Sequence, residues 1–383
     1  MTTTNPGSAT AIFPNLMTPD LSWPVAVLVR GPDGAEIRLG DGEPVMTVTA
    51  RDATGVEALD SRDELLIAEA YMAGSVDLDG DLIAGLRVRD NLTTRSAPVI
   101  VKNHLLPLIK GRAESNKEWI ATHYDMDNIQ LYAVDRDYGV YTPGIYLDDD
   151  DTLEEGAERK LAAAFDALQL KEGDQVLDVG CGWGGFLRYT SKRGIDATGI
   201  TLSQHQRDHA MKRLANDGLD ATVLYQDFFS FEPAEKFDGI SLMGVMEDLA
   251  AYRKVMPRLA KWLKPGGRIY CDFAASGDRF GITSFVTKHI WPGRFRLVYM
   301  PQFIAAASKS GLDIVNIEND RRNYHLWAKK GMERWQPQRD EITAASDDKT
   351  YRLMTLLIAG TAEMFSPDSE RATAYRVTLG HRE

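Results

Sequence analysis

The stretch VLDVGCGWGGF, from Val176 to Phe186, constrains this chain more than any other. An apolar run, Val176-Leu177, reaches an acid at Asp178 and then breaks into glycines at Gly180, Gly182, Gly184 and Gly185. A helical pattern begins at Phe186. A strand that turns this tightly into a helix is the entry unit of a parallel α/β sheet. Glycine at the turn lets the backbone approach a ligand closely.

The segments downstream fit that sheet. Strand-like runs at DATGI, ATVLYQD, FDGISLM and GGRIYCDF alternate with helical stretches, which predicts parallel strands joined by right-handed crossovers. LKPGG, Leu263 to Gly267, reads as a turn into a buried strand, and LDIVNIE and AYRVTLG read as the last strands. Upstream, WPVAVLVR, AEIRLG and PVMTVTA are short and alternating, and a helical RDELLIAEAYMAG follows. They predict a small N-terminal α+β domain. The expected organisation is a disordered tail over 1–14, an N-terminal structural or docking domain over 15–105, a linker helix over 106–118 and the parallel α/β domain over 119–383.

Composition excludes several function classes. The net charge of −12 leaves no surplus of cations for phosphate, which argues against nucleic-acid binding. The two cysteines, Cys181 and Cys271, form neither a disulfide framework nor a zinc motif, and no metal site is expected. No run approaches the roughly 20 apolar residues that span a bilayer. The start, MTTTNPGSATAIFPN, lacks the basic and apolar regions of a signal peptide. A cytoplasmic protein is expected, peripheral at most on the inner face of the membrane.

Gly180, Gly182 and Gly185 satisfy G-x-G-x-x-G, so a dinucleotide is one candidate ligand. A dinucleotide fold calls for an acid about 20 residues on, at the end of the second strand. That strand ends here in Gly199-Ile200-Thr201-Leu202-Ser203, without one. The acid stands instead at Asp178, and Asp-x-Gly-x-Gly with a later LKPGG resembles the S-adenosylmethionine (SAM) methyltransferases. Asp178 suits the ammonium of SAM. Asp227-Phe228, after the third strand, suit adenine by hydrogen bonding and stacking.

Further motifs extend the resemblance. HYDMDN from His123, VLDVGCGWGGF, GITLSQHQ from Gly199, GVMED around Glu247, KHIWPG, NYHLWAKKGMERW and LMTLLIAGTAEMF occur in that order. Together they resemble the cyclopropane-fatty-acid synthase and mycolic acid methyltransferase family, over most of the chain beyond Trp119. The resemblance implies a Rossmann-like, mostly parallel seven-stranded sheet with helical insertions. It also implies methyl transfer from SAM to the double bond of an unsaturated acyl chain, usually in a phospholipid. Tyr141, Thr142, Gly180, Gly182, Thr201, Leu202, Gln206 and Phe228 fall at its SAM-contacting positions, and the segment of His123 and Tyr124 at its cofactor lid.

In that family a bicarbonate ion, gripped by Cys, Glu, His and Tyr, is the base that deprotonates the carbocation. Only Glu247 is retained here; Pro143, Asp272 and Leu356 or Leu357 stand at the other three positions. The expectation is that a protein carboxylate replaces bicarbonate, with Glu363 first and Asp272 second. Glu363 shares a helical face with Leu356 and Gly360 inside an apolar stripe. A carboxylate there needs a partner or a function. Tyr324 and His325, beside Trp327, are placed either to stabilise a cation or to pack in the core. Lys288, His289, Trp291, Arg294 and Arg296 have the composition of a membrane-interface patch.

The sequence therefore points to a lipid-modifying SAM-dependent C-methyltransferase whose product is a cyclopropane, or a methylene- or methyl-branched chain. A homodimer is an expected form. Two alternatives stay open: the same chemistry on a soluble alkene such as a prenyl or natural-product intermediate, and a non-catalytic scaffold that binds SAM or lipid.

Overall fold

The structure is a computed structural model that describes residues 12–17, 21–92, 129–249, 251–276, 283–290, 296–369 and 371–382. The expected linker helix over 106–118, His123 and Tyr124, and Trp291 and Arg294 lie outside the described residues. The chain forms two compact units, and each interleaves segments distant in sequence. The first comprises Met1–Leu106, Thr283–Ile290 and Met332–Glu363; the second comprises Pro107–Ile282, Trp291–Gly331 and Met364–Glu383. The segments 283–290 and 332–363, read from the sequence as part of the parallel α/β domain, thus belong to the first unit.

The first unit holds a four-stranded sheet of β1 (Val27–Arg30), β2 (Glu36–Leu39), β3 (Met46–Ala50) and β4 (Val76–Gly80), in the order β2-β1-β3-β4. β1 and β3 run parallel; the other pairs are antiparallel. Helices α1 (Ala53–Ser61) and α2 (Glu64–Met72) follow β3, and the single turn α3 (Leu82–Gly85) follows β4. Asp52 and Asp63 accept the first N–H groups of α1 and α2, caps that contribute about 1 kcal/mol each. Phe13, assigned to the tail by composition, is fully buried, and it packs with Leu16, Val27, Val29, Val48 and Tyr71. The late helices α10 (Arg339–Ala345) and α11 (Asp348–Met364, in this unit up to Glu363) complete the unit. Leu356 joins the same apolar core, and Arg352 binds Asp77 at 2.9 Å and the carbonyls of Tyr71 and Val76.

The second unit holds a seven-stranded sheet of β5 (Gln175–Val179), β6 (Asp196–Thr201), β7 (Ala221–Tyr225), β8 (Phe237–Met243), β9 (Leu263–Ala275), β10 (Leu312–Asn319) and β11 (Thr373–His381). Its order is β10-β11-β9-β8-β5-β6-β7. The five strands from β7 to β9 are parallel, and β11 runs antiparallel between β9 and β10. The LKPGG turn is already the start of β9, with a register shift opposite Phe237 and Gly239.

Helices cover both faces of this sheet, as buried parallel strands require. Leu177, Ile240, Ile269, Cys271 and Phe273 pack with residues of α7 (Tyr252–Trp262) and α8 (Met300–Lys309). Val176, Ala197, Val223 and Tyr270 pack with α4 (Leu153–Leu168), α5 (Gly185–Ser191) and α6 (Gln204–Asn216). The strand period of two therefore sends Asp272, the neighbour of Cys271, to the α4 side. Helix α4 opens on a reciprocal cap: Thr152 accepts the Glu155 N–H, and Glu155 accepts the Thr152 N–H. Helix α9 (Arg321–Trp335) runs from the second unit into the first. Among the described residues, no helix is long and apolar enough to cross a membrane.

Candidate active site

The glycine turn after β5 is built by positive φ angles, 71° at Gly180, 51° at Gly182 and 81° at Gly184. The N–H groups of Gly180 and Cys181 donate to the Ile200 carbonyl at 2.8 and 3.1 Å, which locks the turn against β6. A Cβ on Gly180 would lie 2.5 Å from Val245, whereas one on Gly182 would meet no protein atom within 4 Å. Gly180 therefore serves the turn, and Gly182 opens onto space a ligand can take. Asp178, 4% exposed, accepts from the Ser241 hydroxyl at 2.6 Å. Burial pushes its carboxyl up to about 7; Asp272 adds to the rise, while the Ser241 hydrogen bond and Lys160 oppose it.

The other expected cofactor residues lie in the same unit. Thr201 donates to Gln206 at 3.2 Å, and Ser203 caps α6, which fixes Leu202 between them. Asp227 accepts the Phe229 N–H at 2.9 Å. Phe228 is 4% exposed and edge-on to Trp262, with ring centroids 5.0 Å apart, so much of the ring expected to stack on adenine is packed in the core. Tyr141 sits edge-on to Trp327 at 6.1 Å, and burial pushes its hydroxyl well up.

The segment 135–142 lies against the glycine turn. A Cβ on Gly185 would be 3.1 Å from the Tyr138 carbonyl. Asp135, 3% exposed, organises this segment by accepting the N–H groups of Tyr138, Gly139 and Val140 at 2.6, 3.1 and 2.6 Å. Burial raises its carboxyl nonetheless, against those three bonds. Arg188 ties the segment to α5 by donating to the Asp137 carbonyl at 2.6 Å.

The positions of the expected base site fall in two places. Asp272 is 1% exposed, and its Oδ2 lies 3.0 Å from the Nζ of Lys160, itself 1% exposed on α4. Lys160 also donates to the Thr142 hydroxyl. Glu247 accepts the Ala274 N–H on Oε1 at 2.7 Å, and its buried Oε2 has no hydrogen-bond partner among the described residues. Burial pushes Glu247 up to about 8 and the neighbouring Asp248 to about 7. Tyr324 packs against Phe365, with ring centroids 4.7 Å apart and planes tilted by 48°, in a small apolar cluster with Ala274 and Leu297. Burial raises its hydroxyl, and the charges of Glu247 and Asp272 add to the rise. His325 is half-buried on α9. These residues all belong to the second unit.

Glu363 belongs to the first unit. It is 2% exposed, and its Oε2 lies 3.5 Å from Nη1 of Arg89, whose Nε donates to Glu64 at 3.1 Å. Leu356 and Leu357, where the resemblance puts a tyrosine, are apolar residues of that unit. Of the expected membrane patch, Lys288 and His289 both bind Glu69, at 2.5 and 2.7 Å.

The glycine turn, open to a ligand at Gly182, and the acid at its entrance fit SAM. Of the four positions that the resemblance implies for bicarbonate, Pro143 and the leucines offer no polar side chain and Asp272 puts a carboxyl where a histidine is implied, so three of the implied groups are replaced. The sequence reading missed Lys160 and Asp135. A signal for Lys160 existed, because it stands on the apolar stripe of α4 with Gly156, Ala157, Leu161 and Ala164. None existed for Asp135, whose partners are backbone groups.

The profile of the mycolic acid cyclopropane synthetase family matches residues 112–373. The chain belongs to this family. Among curated relatives of this synthetase-family chain, a probable fatty acid methyltransferase of Pseudomonas putida is 28% identical over 357 residues, covering 87% of the chain and 86% of the relative. A sphingolipid C9-methyltransferase of Komagataella phaffii is 25% identical over 338 residues, covering 81% and 68%. Among solved structures, the cyclopropane synthase MmaA2 of Mycobacterium tuberculosis superposes with a TM-score of 0.63 at 22% identity, covering 69% of this chain and 97% of that one. That likeness shows the shared fold. The synthetase-family chain is a SAM-dependent methyltransferase, as its sheet order and glycine turn indicate.

Proposed function

We propose that this enzyme methylates a carbon–carbon double bond in an unsaturated acyl chain carried by a phospholipid, and that a protein carboxylate accepts the proton released. SAM supplies the electrophilic methyl group. The alkene's π electrons would form the new bond to it as its bond to sulfur breaks, with the electron pair leaving on S-adenosylhomocysteine, and a carbocation would be left on the chain. Loss of a proton from the added methyl group closes a cyclopropane; loss from elsewhere gives a branched chain.

One observation carries the carboxylate reading. Where the resemblance places a histidine for bicarbonate, the chain has Asp272 locked to Lys160. Three buried carboxylates then come into question. Glu363 keeps first place, because it is 2% exposed on an otherwise apolar helical face, where a carboxylate needs a function, and Arg89 beside it balances its charge. Asp272, held by Lys160, is second. Glu247, pushed up to about 8, carries its own proton at neutral pH and suits donating a hydrogen bond better than accepting a proton.

The test is an assay of the purified protein with SAM and vesicles of an oleoyl-chain phospholipid, with bicarbonate removed or added. The proposal expects an added CH2 unit on the oleoyl chain at equal rates in both buffers. Turnover that requires bicarbonate contradicts the carboxylate mechanism, and no lipid product contradicts the substrate. A sphingolipid acceptor is the second reading, favoured by the sphingolipid C9-methyltransferases among the relatives, and unsaturated ceramide vesicles test it.

A further inference from the structure

We propose that Lys160 is a positioning residue for the cofactor, whose ammonium ties the Thr142 hydroxyl to the Asp272 carboxylate and so fixes the 141–142 segment at the carboxyl edge of the sheet. A buried ammonium is costly unless it is paired and hydrogen-bonded. Lys160 has both partners, Asp272 at 3.0 Å and the Thr142 hydroxyl. An apolar pair at 160 and 272 would fill the same volume with no desolvation cost, but it would give Thr142 no donor.

The surroundings of Thr142 show a built seat. Gly244, just past the end of β8, has φ +65°, and a Cβ on it would lie 2.4 Å from Thr142 Cγ2. Only glycine leaves room for that methyl group. The Gly244 N–H donates to the Asp272 carbonyl at 3.0 Å. Residue 272 therefore holds both walls of the seat, one through its main chain and one through Lys160.

Asp178, Ser241 and Gly244 mark the carboxyl ends of β5 and β8, where ligands of open α/β sheets bind. Thr142 is held at that edge. The ion pair also acts on Asp178 from two sides, since Lys160 favours its charge and Asp272 opposes it. The inference concerns SAM alone and does not depend on which acceptor is methylated.

The test is calorimetric titration of S-adenosylhomocysteine into the full-length protein, with melting temperature as a second readout. Thr142→Val removes only the end of the tether and leaves the ion pair in place. It is expected to lower the melting temperature by a few degrees at most, since the ammonium keeps its ion pair, and to weaken binding about tenfold, the scale of one charge-assisted hydrogen bond. Thr142→Ser, which keeps the hydroxyl, is expected to bind like the parent. Lys160→Met with Asp272→Leu removes both charges together, so neither is stranded, and is expected to show the same loss. Adding Thr142→Val to that double variant is expected to weaken binding no further. In steady state the loss in Thr142→Val falls on KM for SAM, and Thr142→Ser keeps the parent's KM. Parent-like binding by Thr142→Val overturns the proposal. So does a full further loss when Thr142→Val is added to the double variant, because Thr142 would then act without Lys160.

Discussion

Nζ of Lys160 lies 3.0 Å from Oδ2 of Asp272, with 1% and 2% of the two side chains exposed. The pair explains how a carboxylate can stand where the family resemblance puts a histidine. The new negative charge is met by a positive one on the facing helix. The local change is balanced, and the strand keeps its register with β8 and β11.

Breaking that balance from one side should be costly. Asp272→Asn strands the Lys160 ammonium, and the expected destabilisation is about 3–5 kcal/mol. Urea unfolding followed by circular dichroism reads it. A loss below about 1 kcal/mol, the level of an exposed pair, would mean that water reaches this site.

The two turn glycines should separate folding from binding. Gly180→Ala meets Val245 at 2.5 Å and takes a strained φ of +71°, so it should lower the melting temperature markedly. Gly182→Ala meets no protein atom and should cost only the backbone strain, about 1–2 kcal/mol. It should nonetheless lose most of the affinity for S-adenosylhomocysteine. Calorimetry on both variants checks this, and a Gly182→Ala protein that binds normally would remove the ligand from that space.

Asp135→Ala should loosen the segment 138–140 by removing the acceptor of three backbone N–H groups. KM for SAM is expected to rise about tenfold or more, since one such bond to a charged group is worth about 1.5–3 kcal/mol. Hydrogen exchange of the Tyr138, Gly139 and Val140 amides should quicken in the same variant.

Glu247 gives the stability a pH dependence with a defined sign. Burial lifts it from 4.5 to about 8, so between those values the folded protein holds a proton that the unfolded chain has lost. Stability contributed by this group falls as pH rises through that window, by about 1.4 kcal/mol per pH unit at most. Asp178, raised to about 7, acts in the same direction. Urea midpoints between pH 5 and 8 should fall less steeply for Glu247→Gln than for the parent.

Much of the second unit was legible from the sequence. Its strands announce themselves as apolar runs, and glycine chemistry marks the turn. What was not legible depends on tertiary placement. Periodicity places Glu363, Leu356 and Gly360 on one face of α11, and all three do face the first unit, Gly360 within 3.8 Å of Arg89 for an added Cβ. Periodicity does not say which core that face meets. Hence Arg89, on the short 3-10 helix Leu86–Asn91, is not anticipated from the sequence as the partner of Glu363. Phe228 depends on placement too: its contact with Trp262, ring centroids 5.0 Å apart, joins residues 34 apart in sequence and has no local signal.

Glu363→Gln should lower kcat by about 10²–10⁴-fold, the range of a positioned base, and added bicarbonate should not restore it. Arg89→Leu should reduce stability by leaving Glu363 and Glu64 without their shared cation. Full turnover by Glu363→Gln without bicarbonate would pass the role to Asp272.

The most direct measurement of the central claim is mass spectrometry of lipids from a host that expresses the protein and is fed methyl-deuterated methionine. The account predicts unsaturated acyl chains that gain one deuterium-labelled CH2 unit, with the number of deuteriums retained separating ring from branch. An unchanged lipid profile, from a protein that still binds S-adenosylhomocysteine, would contradict it.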